Sequence, residues 1–175
     1  AVVFDASGSM YSLYKKGIVQ EAFERVLAIA AAFDDDGELD VWFFAKEFLR
    51  APSVTAQDYE NYVARAYTLG SKGGTNNEPP VMADVIHKYT VEEPNIHLPT
   101  YIIFFSDGGV SSKSKIVRLI TESSHHNLFW QFVGLGNANY GVLRELDDLP
   151  GRFIDNADFF ELDDRLIGFD DKERK

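Results

Sequence analysis

Two stretches of this chain, Thr100-Tyr-Ile-Ile-Phe-Phe105 and Leu128 to Leu135, are dense in apolar residues on both faces, and each breaks off abruptly at small polar residues. A strand of that kind has to be covered on both sides, which places it inside a mostly parallel sheet with helices above and below. The rest of the chain agrees. Ala1 to Phe4 is apolar and β-prone and stops at Asp5. From Gly17 onward Val19, Ala22, Phe23, Val26, Ala30 and Phe33 recur at steps of three and four, the stripe of an amphipathic helix ending at Asp34-Asp35-Asp36-Gly37.

The pattern continues with a strand over Leu39 to Ala45 and a short edge strand over Glu47 to Val54, closed off by Pro52. Helices are predicted over Thr55 to Leu69, from Pro79-Pro80 to about Val91, over Ser114 to Ser124 and over Tyr140 to Leu149. A last strand falls within Arg152 to Leu162. Strand and helix alternate throughout, which predicts a three-layer α/β architecture. At 175 residues the chain is expected to form a single domain over 1–175. Its opening on Ala-Val-Val-Phe-Asp, without Met or a charged leader, reads as a segment of a longer chain.

Composition removes several functions. With 17 Lys+Arg against 28 Asp+Glu the formal charge is −11, a field that repels phosphate backbones and anionic lipid, so neither nucleic acid nor a membrane surface is an expected partner. No cysteine is present, which excludes thiol catalysis and thiolate zinc sites. The longest apolar run, Val26 to Phe33, is far short of the roughly 18–20 residues that span a bilayer.

In a sheet of this type ligands bind at the carboxyl ends of the strands, where strand order reverses. Asp5-Ala-Ser-Gly-Ser9 offers one carboxylate and two hydroxyls at alternate positions, with Gly8 letting the backbone curl. Asp107-Gly-Gly offers a second carboxylate, and Thr75, between Gly73-Gly74 and Asn76, a third hydroxyl. Oxygen donors with no imidazole or thiolate among them suit a hard cation, and such a set leaves room for an outside ligand.

These segments, Asp5-Ala-Ser-Gly-Ser-Met10, Gly73-Gly-Thr-Asn76 and Ser106-Asp107-Gly108, resemble in order and spacing the metal-ion-dependent adhesion site (MIDAS) of von Willebrand factor A (vWA) domains. The resemblance covers essentially the whole chain. It implies a Rossmann-like fold with a mostly parallel central sheet, one short antiparallel edge strand and helices on both faces. It further implies Ser7, Ser9 and Thr75 as metal-contacting hydroxyls, with Asp5 and Asp107 acting directly or through water. The expected ion is Mg²⁺, with Mn²⁺ or Ca²⁺ also compatible, and the expected partner is a protein that supplies a Glu or Asp carboxylate. Phe129-Trp-Gln-Phe-Val-Gly-Leu-Gly-Asn-Ala-Asn-Tyr-Gly-Val-Leu143, Leu146-Asp-Asp-Leu-Pro-Gly-Arg152 and Asp155-Asn-Ala-Asp-Phe-Phe160 resemble the bacterial tellurium-resistance and stress-response branch, whose members are cytoplasmic. Oligomeric state is left open.

Tyr11, Lys15, Lys72, Asn76, Gly109 and Lys113 are expected at the rim of the site, together with Tyr14 and Lys16, so that an acidic chain presents a locally positive mouth. The enzymatic alternative is a Mg²⁺-dependent phosphate-ester hydrolase with Asp5 as nucleophile, but the position for a general acid two residues on is Ser7. A non-enzymatic binding module is therefore favoured, and a scaffold domain stabilised by its metal is the third reading. Gly134-Leu-Gly-Asn-Ala-Asn-Tyr-Gly141 has Asn139 where a dinucleotide fingerprint needs its third glycine, and is read as a tight turn.

Overall fold

The computed structural model describes residues 1–33, 37–95, 97–136 and 139–162. The acidic clusters at Asp34 to Asp36 and Asp163-Asp164, and the tail to Lys175, lie outside them. A six-stranded sheet in the order β4-β3-β1-β6-β7-β8 forms the centre. Its strands are β1 (Val2–Asp5), β3 (Val41–Phe44), β4 (Phe48–Arg50), β6 (Thr100–Ser106), β7 (Leu128–Leu135) and β8 (Ala157–Leu162). All neighbours are parallel except β3 and β4, where Phe44 faces Phe48 across a tight hairpin. The expected fold class, with its single antiparallel edge, is the one observed.

Side chains alternate across the sheet as strand geometry requires. Phe4 and Phe43 point to one face, where Phe4 stacks on Phe43 and on Phe105 with ring centroids 5.7 and 5.0 Å apart. The cover on that face is α1 (Tyr11–Lys15), α2 (Ile18–Phe33) and α3 (Tyr62–Ala66). Val3, Trp42, Phe104 and Trp130 point the other way, beneath α4 (Glu78–His87), α5 (Lys113–Ser123) and α6 (Gly141–Asp147). Among the described residues no helix is long and apolar enough to cross a membrane.

Three expectations change. The helix expected over Thr55 to Leu69 contracts to the five residues of α3, because Val54–Thr55 (β5) instead pairs antiparallel with Glu38–Leu39 (β2) in a separate two-stranded sheet, and Asn61 enters α3 in the left-handed region at φ 51°. Ahead of α2 the chain already turns as a 3₁₀ segment, Gly8–Met10, and then as α1. The helix opened by Pro79-Pro80 stops being α-helical at His87 and continues as a π-helical turn over Lys88–Glu92.

Candidate metal centre

β1 and β6 run side by side in the middle of the sheet, and the chain leaves β1 toward one edge and returns to β6 on its other side. Their carboxyl ends are therefore the topological switch point, where successive loops diverge and leave a crevice. Asp5 ends β1, and Asp107 directly follows β6.

The first loop turns sharply. Ser7 is extended at φ −63°, ψ 166°, its amide donates to Asp5 Oδ1 at 2.8 Å, and its hydroxyl lies 3.2 Å from that of Ser9. The Ser106 hydroxyl donates to Asp5 Oδ2 at 3.3 Å, so both oxygens of this carboxylate are held. Asp5 and Ser7 are buried while Ser9 is exposed, and the donor set thus runs from the sheet out to the surface.

The second loop docks on the first, the Gly8 amide donating to the Gly74 carbonyl at 2.9 Å. Gly73 sits at φ +87°, and a Cβ there would lie 2.8 Å from Cβ of Lys46, so both the backbone conformation and the close approach demand glycine. Thr75 follows on the exposed part of that loop. The third loop is set by the Gly108 amide donating to the Ser106 hydroxyl at 3.2 Å and the Gly109 amide to Asp107 Oδ1 at 3.4 Å. Asn76 Nδ2 donates to the Gly109 carbonyl and ties the second loop to the third. Asp5, Ser7, Ser9, Thr75 and Asp107 thus stand on three hydrogen-bonded loops at one end of the sheet.

Burial pushes the Asp5 carboxyl up to about 7, against the Ser7 hydrogen bonds that lower it, and the negative charges of Asp107 and Glu78 raise it further. A cation placed among these groups relieves both penalties. Among the described residues no three His, Asp or Glu side chains gather closely enough to hold an ion by themselves. Two carboxylates therefore need the serine and threonine hydroxyls to complete a hard-cation set, and those are the residues present.

The expected rim is only partly as read. Tyr11 is half-buried, with its hydroxyl 3.5 Å from the Gly73 carbonyl. Lys15 and Lys16 are exposed at the end of α1, and the Lys72 carbonyl accepts the Glu47 amide at 3.0 Å. Lys113 forms an ion pair with Glu145, which neutralises one of the four lysines assigned to a positive mouth. Tyr14 turns inward, donating to the Asp5 carbonyl at 2.9 Å, and burial raises its hydroxyl well above the ordinary tyrosine range.

Glu78, the first residue of α4, escaped the sequence reading. It is 2 % exposed and accepts from the Ser111 hydroxyl at 2.7 Å and the Ser111 amide at 3.3 Å. Its one signal was its place three residues after Thr75, where an acid ahead of Pro79-Pro80 also reads as an ordinary helix-start charge.

A family model described as the vWA found in the TerF C terminus matches residues 1–173. The "Uncharacterized protein YcbR" of Bacillus subtilis (strain 168) is 46% identical over 166 residues, a match that covers 93% of this chain and 67% of the relative. The crystal structure of manganese-loaded Plasmodium vivax TRAP protein superposes with a TM-score of 0.66 at 16% identity, covering 91% of this chain and 66% of that one. The SpRpn10 VWA domain gives 0.65 at 11% identity, with 92% and 85% covered. At such identities the two structures speak to the fold, while the family model and the bacterial relative speak to descent. This chain belongs to the vWA domains, in the family found at the TerF C terminus.

Proposed function

We propose that this domain is a non-enzymatic binding module that captures a Glu or Asp carboxylate of a partner protein through a divalent cation, Mg²⁺ by preference. vWA domains often serve as metal-dependent protein-interaction modules, which supports this reading. One observation carries the reading. A buried Asp5, pinned at both oxygens and with its pKa raised by burial and by its acidic neighbours, lies at a switch point whose hydrogen-bonded loops also carry Ser7, Ser9, Thr75 and Asp107.

Asp5 and Asp107 balance the charge of the ion, Ser7, Ser9 and Thr75 contribute neutral oxygens, and Tyr11, Lys15, Lys72, Asn76 and Gly109 are assigned to the rim, with Lys113 paired to Glu145. When bound, the cation supplies an electrophilic position that a carboxylate can fill. Ser7 stands where a phosphoryl-transfer site needs an acid, so the chain's own residues hold and present the ion without moving a proton. The setting we propose is a cytoplasmic bacterial system for tellurium resistance or stress response, which the family name supports. We further assign residues 1–175 to one domain.

Divalent ion should raise the melting temperature by mass action on the folded state. Asp5→Ala and Asp107→Ala should each abolish the shift. Calorimetry showing unchanged Mg²⁺ and Mn²⁺ binding in both variants would overturn the assignment.

A further inference from the structure

A carboxylate buried as deeply as Glu78 needs partners for both oxygens. Oε2 has Ser111. Oε1 is buried and has no hydrogen-bond partner among the described residues. Its place at the start of α4 gives it the favourable end of a helix dipole, but that field does not fill a lone pair.

The location matters as much as the vacancy. Glu78 follows the loop that carries Thr75, and it is fastened through Ser111 to the loop that carries Asp107. Its charge, like that of Asp107, acts on Asp5. Yet Asp5, Asp107 and Glu78 do not gather closely enough to share an ion directly. The three therefore do not serve together as direct ligands, and Glu78, tied to the Asp107 loop through Ser111, is the one with an unpartnered buried oxygen. A hard cation such as Mg²⁺ keeps several of its waters, and each bound water presents O–H donors that require acceptors. A buried carboxylate oxygen lacking a donor is the matching half.

Resting on the metal-site reading above, we propose that Glu78 is a third carboxylate of this centre. Its Oε2 fixes Ser111 and the third loop, and its Oε1 accepts a hydrogen bond from a water carried by the cation. Outer-layer partners of this kind typically change metal affinity by about 10–100-fold when removed.

The test is Mn²⁺ titration by calorimetry on the 175-residue chain, with the melting temperature of the metal-free protein measured alongside. Glu78→Gln keeps the shape and one oxygen for Ser111 but puts an amide nitrogen where a water needs an acceptor. Its Mn²⁺ dissociation constant should rise about 10–100-fold, while its metal-free melting temperature stays near wild type. Ser111→Ala breaks the same anchor and leaves Oε1 in place, so it should lose stability but less affinity. Equal affinity losses in the two variants would reduce Glu78 to an anchor and overturn the proposal. So would Glu78→Gln binding within about twofold of wild type while Asp5→Ala abolishes binding, an outcome that leaves the metal site itself standing. Absence of Mn²⁺ binding by the unmodified chain would instead remove the metal-site reading and this inference with it.

Discussion

The Gly8 amide donates to the Gly74 carbonyl at 2.9 Å, joining loops that are far apart in the chain and carry different parts of the donor set. Ser7 is already extended, which suits a residue preceding proline, and Gly8 opens the 3₁₀ turn, where proline is tolerated. Gly8→Pro therefore removes this donor and, because the proline ring carbon takes the place of the amide hydrogen, drives that carbon against the Gly74 carbonyl and forces the two loops apart. Stability should fall by more than the ~1 kcal/mol of a lost hydrogen bond, and Mn²⁺ affinity by at least about tenfold as the Thr75 loop loses its tether and is pushed away. Unchanged affinity by calorimetry would mean that this bond does not position the loop.

Gly134 lies inside β7, and a Cβ on it would come within 2.7 Å of the Tyr140 ring, which is buried with its hydroxyl donating to the Gly136 carbonyl at 2.5 Å. A close ring contact, and not a turn, calls for glycine at this position. Gly134→Ala should cost about 1–3 kcal/mol through overpacking, read as a drop in melting temperature. An unshifted melting curve would show that the ring yields freely.

Asp84 loses solvation by burial, but hydrogen bonds from Arg50 at 2.9 and 3.0 Å and from Trp42 Nε1 at 2.8 Å outweigh that and hold its carboxyl below the ordinary range. A folded-state pKa below the unfolded value contributes stability that is present above the unfolded pKa and is lost as pH falls through the folded one. Asp84→Asn should thus be less stable by about 1–3 kcal/mol at pH ~7, with the gap to wild type closing below pH ~4. Denaturant melts across that range check it, and a gap independent of pH would rule out the ion pair as its cause. Asp40, also held low by Ser53, Tyr89 and Lys88 against its burial, leaves residual acid sensitivity in the variant.

Ser123 Oγ accepts from the buried Trp130 Nε1 at 3.0 Å while its own hydroxyl donates to the Ile120 carbonyl at 3.0 Å. Ser123→Ala should leave the indole N–H without this acceptor, at a cost of about 1–3 kcal/mol. Chemical denaturation measures it, and since the cluster lies away from the three loops, Mn²⁺ affinity should not move. A variant as stable as wild type would show that the indole finds another acceptor.

What the amino-acid order determined by itself was local. Thr100 to Phe105 read as a central strand, Val19 to Phe33 as a helix with one apolar stripe, and Asp5, Ser7, Ser9, Thr75 and Asp107 stood out as candidate oxygen donors by residue type and spacing. These signals survive because periodicity and donor chemistry are properties of neighbours in the chain. Tertiary structure decided the rest. Tyr62, Val63 and Ala66 fit a helix of five residues as well as the longer one expected over Thr55 to Leu69, and the choice fell to contacts such as Tyr62 on Phe23 at 4.7 Å and the pairing of Val54 with Leu39. Lys113 looked free until Glu145 came beside it, and Tyr14 looked like a rim residue until it reached the Asp5 carbonyl. Glu78 became visible only when Ser111, 33 residues on, occupied one of its oxygens and burial isolated the other. Whether a charge is solvated, paired or left with an open valence depends on what the fold brings next to it, and that is set by long-range packing.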